Sequence, residues 1–216
     1  MPRCTSSTIV CKGAIVFKLT KIDFIQSFQL NRPVGYHAES LQRVAHLSSS
    51  SLRRASVLVG FVEREAGLYV VLTKRAAHLK HHPGQISFPG GKYEEWDHSL
   101  YQTAIREAEE ETGIKASQIE ILGHLPELVT VSKFSVTPVV AFIQPDYQAK
   151  LDDNEVEELF EVPANYLFDR TKLYSGLFQV KNQAHRVFAI PYQQHFIWGM
   201  TAQIIQALQT HIISPT

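Results

Sequence analysis

The 216-residue chain has only two cysteines, Cys4 and Cys11, and neither sits in a CxxC pair or a Cys/His array. A disulfide between them would close a short loop and staple little, so a disulfide-built fold is not expected and reducing surroundings are. Net charge is missing as well, because 21 basic and 21 acidic side chains cancel. That balance excludes the basic footprint of a protein that grips nucleic acid by its backbone. A small polyanionic substrate stays open, since a local cluster or a metal can bind phosphate without any global charge. No apolar run approaches the roughly 18 residues of a membrane span. Lys12 and Lys18 interrupt the apolar patches near the start. No secretory signal is expected, and a cytoplasmic location is. Internal repeats and low-complexity tracts are absent. His78, His81 and His82 lack the second ligand group of a zinc site, and no HExxH occurs.

What is there reads as one globular domain. Hydrophobic residues make up 44% and charged residues 19%, enough for a single well-buried core and short for two. The expected organisation is an N-terminal extension over residues 1–52 containing a short helix, a domain over 53–210, and a tail over 211–216. Ile9 to Leu19 has weak strand character. Thr20 to Asp23 spells a capping box ahead of a helix carrying Phe24, Ile25 and Phe28, and Pro33 and Gly35 break that helix. Ala55–Val62 and Leu68–Thr73 read as an antiparallel pair around a turn. Gln85–Phe88 reads as a short strand, followed by Phe88-Pro89-Gly90-Gly91. Asp97 is the candidate N-cap of a helix over about 98–112, with Leu100, Ala104, Ile105 and Ala108 inward and Gly113 closing it. Strands are expected at Ile119–Leu125, Val136–Ile143 and His185–Ile190. Asn154–Val162 fits helix or strand equally. Gly199–Gln209 reads as a closing helix, and the sheet should be mostly antiparallel.

The densest signal is Arg106-Glu107-Ala108-Glu109-Glu110-Glu111-Thr112-Gly113-Ile114. Carboxylates at i, i+3 and i+4 share one helix face, and each like-charge pair costs roughly 0.2–0.5 kcal/mol when exposed. A hard divalent cation removes that penalty, because Mg²⁺ is held by a few carboxylates together with substrate phosphates. Glu107, Glu110 and Glu111 fit such a site, and the glycine loop before the helix leaves the Gly91 carbonyl as a further oxygen ligand. The ordinary alternative is a solvated acidic face. Arg106 is poorly placed for its neighbour Glu107. It is better placed for Glu110 at i+4, for an outside carboxylate, or for a phosphate oxygen.

From Gly91 through Asp97 to Ile114 the sequence resembles the box of the Nudix hydrolases, which cleave diphosphate linkages joined to a second moiety. The usual box has a glutamate where this chain has His98, with Asp97 supplying an acid one position earlier. Leu72 to Lys80, Gly84 and Phe88-Pro89-Gly90-Gly91 resemble the upstream signature of coenzyme A diphosphatases, with Ala76 in place of the usual serine. Val136–Val140, Asn154–Val156 and Phe196–Ala202 continue the likeness, which covers roughly residues 53–208.

The resemblance implies an α/β/α sandwich around a central mixed sheet. It implies Mg²⁺ or Mn²⁺ held by Glu107, Glu110, Glu111 and Gly91, with Arg106, Glu110 and Glu111 in the catalytic machinery. Glu155 is the first choice of general base from the acidic run Asp152 to Glu161. Arg75, Lys80, His81 and Gly91 are the implied substrate contacts; Phe88 is a further candidate that could stack on adenine, with a buried core position as its more ordinary reading. Coenzyme A would give 4′-phosphopantetheine and adenosine 3′,5′-bisphosphate. ADP-ribose, a dinucleotide or a nucleoside triphosphate is the rival substrate class, and a silent binding module the rival from another class. Homodimers are common among similar proteins.

Overall fold

The computed structural model describes residues 19–32, 35–42, 44–180 and 183–212, the side chains of 180 and 183–185 excepted. Most of the Ile9–Leu19 segment, Pro33 and residues 213–216 therefore lie outside the described residues. In chain order come α1 (Lys21–Leu30), α2 (Ala38–Gln42), β1 (Arg53–Arg64), β2 (Gly67–Arg75), β3 (Ile86–Ser87), β4 (Gly90–Lys92) and α3 (Leu100–Thr112). Then follow β5 (Ile119–His124), β6 (Leu128–Val129), β7 (Phe134–Ile143), β8 (Val156–Pro163), α4 (Ala164–Phe168), β9 (Tyr174–Val180), β10 (Gln183–Tyr192), β11 (His195–Trp198) and α5 (Met200–Ile212). The ambiguous Asn154–Val162 stretch is thus strand from Val156 onward, with Asn154 and Glu155 in the turn before it, and the closing helix runs past residue 210.

Eight strands form the central sheet, in the order β3-β2-β1-β7-β5, with β4 on β1, β6 on β7 and β8 on β2. The sheet is mixed: β1 and β7 run parallel from Arg53↔Phe134 to Val62↔Ile143, and the other pairs are antiparallel. Both faces are covered, which is why β1 and β7 read as nearly unbroken apolar runs. Alternate residues of β1 serve different layers. Val57, Val59 and Phe61 join a core with Phe24 of α1, Leu167 of α4 and Leu208 of α5. Leu58 and Val62 face Ala104 and Ala108 of α3 on the opposite side. The result is an α/β/α sandwich with a central mixed sheet.

Local chemistry sets the helix ends. Thr20 Oγ1 accepts from the Asp23 amide at 3.1 Å while Asp23 accepts from the Thr20 amide at 3.3 Å, so the capping box forms. The N-cap of α3 is Ser99, whose hydroxyl accepts from the Gln102 amide at 3.2 Å. Asp97 does not cap this helix, because its carboxylate is drawn instead to Arg106. Gly113 closes α3 at φ +73°. A second sheet, β11-β10-β9, lies beyond the first, with Phe188, Ile190 and Ile197 reaching the main core.

Candidate active site

The site grows from the contact between the Gly90-Gly91 loop and α3. Gly90 adopts φ +155°, and a Cβ there would lie 2.4 Å from the Ser56 carbonyl oxygen and 2.6 Å from Val57 Cα. Only glycine lets β4 pass β1 so closely. At Gly91 a Cβ would lie 2.4 Å from Glu107 Oε2, so the missing side chain makes the cradle that the Glu107 carboxylate occupies. The Gly90 amide donates to Glu111 Oε2 at 3.2 Å. One loop therefore positions two glutamates.

Glu111 is 4% exposed. Burial pushes its carboxyl up to about 8; the charges of Glu107 and Glu155 add to the rise, while the Gly90 amide and Arg75 oppose it. Glu107 is also raised, first by burial and then by Glu110 and Glu155, against the pull of Arg106. Three carboxylates, on Glu107, Glu111 and Glu155, thus act on one another across α3 and the turn before β8, with Arg75 acting on Glu111. Such crowding of partly buried acids is what a cation relieves.

Arg106 organises the flank. Its Nε and Nη2 donate to the two oxygens of Asp97, each at 3.0 Å, and Nη2 also donates to the Lys92 carbonyl at 2.9 Å. Nη1 reaches Glu110 at 2.9 Å, as the i+4 spacing predicts, and Glu107 at 3.0 Å. The Glu107 contact contradicts the expectation from helix spacing. The fork of a guanidinium anchored on Asp97 spreads far enough sideways to meet its sequence neighbour. Asp97 also accepts from Thr103 Oγ1 at 2.9 Å and from the Glu94 amide at 3.0 Å. Arg106 above all holds the Asp97 carboxyl well below the usual range, and Asp97 in turn raises the guanidinium.

Glu155 is brought in by backbone contacts. The Lys150 amide donates to the Thr112 carbonyl at 2.8 Å and the Asp152 amide to that of Glu111 at 3.1 Å, laying residues 150–155 against the end of α3. The Ala76 amide donates to the Glu155 carbonyl at 2.9 Å. Its acidic neighbours are engaged elsewhere: Glu157 with Lys74, Glu158 with His195 at 3.4 Å, and Glu161 with Arg64 and Tyr147. Among the described residues the Glu155 carboxylate has no hydrogen-bond or ion-pair partner, and it acts on Glu107 and Glu111.

The remaining candidates divide. Arg75 ends β2 where the β2–β8 register slips between Lys74↔Glu158 and Arg75↔Val156. A bulge of this kind re-aims a side chain, and Arg75 bears on Glu111. Lys80 and His81 are exposed in the loop between β2 and β3. Phe88 is corrected: at 3% exposure its ring belongs to the main core and is closed to a ligand. Glu110 stands apart from the inner pair, its side chain 60% exposed and tied to Arg106. Among the described residues no three His, Cys, Asp or Glu side chains already converge as a metal cage. The donors that do lie here are hard oxygens, and they suit Mg²⁺ or Mn²⁺ completed by phosphate oxygens rather than an all-protein cage.

A mixed sheet between helices, with a glycine loop seated against the partly buried acidic face of α3, is the Nudix-type fold. Residues 52–182 match the NUDIX domain family, and the protein belongs to that family. It is 41% identical over 195 residues to the uncharacterized Nudix hydrolase NudL of Enterobacter sp. strain 638, covering 90% of this chain and 95% of that one. The NudL of Pectobacterium atrosepticum is 40% identical over 190 residues, covering 88% and 93%. Among solved structures, a Nudix hydrolase from Alicyclobacillus acidocaldarius matches with a TM-score of 0.50 at 17% identity, over 76% of this chain and 93% of that one, a likeness of fold alone. The family defines the reaction as Nudix-type hydrolysis of a phosphoanhydride. No described helix is long and apolar enough to cross a membrane.

Proposed function

We propose that this protein hydrolyses the diphosphate linkage of a small nucleoside diphosphate derivative, with coenzyme A as the main substrate. The observation that carries the reading is the Gly90-Gly91 loop, which seats the Glu107 carboxylate and donates to Glu111, with Glu155 and Arg75 bearing on Glu111. A bound Mg²⁺ or Mn²⁺ would offset diphosphate charge and lower the pKa of the attacking water. Glu107 and Glu111, with Glu110 and the Gly91 carbonyl, are the residues to hold it. Glu155 accepts the proton of the attacking water. Arg106 keeps Glu107 and Glu110 in place, and its hold on Asp97 fixes its own orientation. Arg75 meets the diphosphate, and Lys80 and His81 the outer phosphates.

Coenzyme A rests on the likeness of Leu72 to Gly91 to the diphosphatase signature. The relatives are named only as Nudix hydrolases, which suits ADP-ribose, a dinucleotide or a nucleoside triphosphate equally well. Incubation with coenzyme A, ADP-ribose, NADH and mixed nucleoside triphosphates, with product masses identified, separates these readings. Metal-dependent release of 4′-phosphopantetheine is the expected result. Preference for another diphosphate would reject coenzyme A and keep the reaction. No turnover of any of them by a folded protein that binds metal would favour a silent module.

A further inference from the structure

On the α3 side of the central sheet, just past Gly91, a guanidinium and a carboxylate flank one buried serine without pairing. Side chains alternate between faces along a strand. Leu58 and Val62 of β1 and Val139 of β7 pack toward α3, so Arg54, Ser56, Ser135 and Thr137 share that face. Backbone pairing sets them in rows. Gly91, Ser56 and Thr137 form one row, and Tyr93, Arg54, Ser135 and Val129 form the next.

The Arg54 guanidinium lies 4.3 Å from the centre of the Tyr93 ring, which backs it from one side. Across Ser135, Glu127 Oε2 accepts from the Ser135 hydroxyl at 2.6 Å. Ser135 is only 8% exposed, so a short bond from a buried donor fixes that carboxylate. Arg54 and Glu127 are themselves exposed, and among the described residues neither forms an ion pair. Their backbones stand two strand spacings apart, roughly 10 Å. Thr137, on the same face, is 5% exposed, and its Oγ1 has no hydrogen-bond partner among the described residues. A native fold seldom leaves such a group unpaired.

An exposed guanidinium plane beside a fixed acceptor suits an amino-bearing nucleobase. Guanidinium planes stack on bases, and a carboxylate accepts from an exocyclic amino group. The placement suits it too. The pair lies two residues along the strands from the Gly91 cradle, about 7 Å, a gap that a ribose bridges when the phosphates sit at the cradle. A ribose hydroxyl, or a water it carries, is then a partner for Thr137.

We propose that Arg54 and Glu127 form the nucleobase subsite, the base stacking on Arg54 and donating its amino group to Glu127. Tyr93 and Ser135 position the two. The proposal rests on the reading of the substrate as a nucleoside diphosphate derivative, and it narrows that class to substrates whose base carries an amino group, adenine among them.

Calorimetry of the full chain with AMP, purine riboside 5′-monophosphate and ribose 5-phosphate, each with Mg²⁺, tests it without turnover. Purine riboside monophosphate lacks only the amino group, and AMP should bind roughly tenfold or more tightly than it. Ribose 5-phosphate should bind more weakly still. Glu127→Ala should erase the preference for AMP and leave melting close to wild type. Arg54→Ala, on a different strand, should weaken both nucleotides roughly tenfold and leave their ratio unchanged. In hydrolysis, both variants should raise KM for the amino-bearing substrate with kcat near wild type. Equal binding of the two nucleotides by wild type overturns the proposal. So does a preference that survives Glu127→Ala, and so does AMP that fails to bind at millimolar concentration. A Glu127-dependent preference for AMP in a protein that hydrolyses no diphosphate would keep the subsite and reject the hydrolase reading instead.

Discussion

At the scale of single residues, the site is a balance between carboxylates that are satisfied and carboxylates that are not. Asp97 is satisfied, with both oxygens on Arg106 and its side chain fully buried. Breaking a buried pair by removing one partner typically costs roughly 3–5 kcal/mol, so Arg106→Ala should destabilise the fold by about that much in urea unfolding. The pair also carries acid sensitivity. Its folded pKa is depressed, so its stabilisation is fully present above the ordinary aspartate value of about 3.9. That stabilisation is lost as pH falls through the lower folded value, and Asp97→Asn should remove this part of the acid dependence of unfolding. Glu155 is the unsatisfied counterpart. Glu155→Gln should still bind Mn²⁺ within a few-fold of wild type, with turnover lower by roughly 10²–10⁴-fold. Near-normal turnover at saturating metal would remove it as the base.

Elements decide which of two similar residues does which task. Asp97 and Ser99 are both good N-cap types, and local sequence alone ranks the aspartate no lower. The structure separates them because Arg106, about two turns into α3, claims Asp97 and leaves Ser99 to cap. Ser99→Ala should therefore cost about 1 kcal/mol of stability and leave hydrolysis intact. The glycine loop makes the opposite prediction. Gly91→Ala drives a methyl into the Glu107 carboxylate, whose flexible end can move aside without unfolding the protein. Its melting temperature should stay close to wild type while turnover falls by about 10²-fold, as expected for displacing a reacting group by about an ångström. A melting temperature that collapses in parallel would make the glycine structural instead.

Across the whole molecule, the readable parts were those written in local pattern. The capping box at Thr20, the hairpin of β1 and β2, α3 with its closing Gly113, and the closing helix all follow from spacing within a few residues. The acidic run marked the site for the same reason. What escaped depends on distant partners. Val156–Val162 became strand because β2 offers it an edge, and the parallel β1–β7 pair joins segments some 80 positions apart. β9 and β11 were not anticipated; β11 is four residues long, and β9 carries Gly176 inside it. Phe88 stayed open between a substrate contact and the core, because a sequence does not say which way the ring beside the glycine loop turns, and it turns into the core. Glu111 ties these scales together, since its depth comes from the sandwich, its orientation from the Gly90 amide, and its raised pKa from burial. The most direct measurement is metal-dependent hydrolysis of a nucleoside diphosphate substrate by wild type and Glu111→Gln side by side, both shown to be folded. The account predicts turnover by wild type that requires Mg²⁺ or Mn²⁺ and falls by roughly 10²–10⁴-fold in the variant. Equal turnover by the two proteins would contradict it.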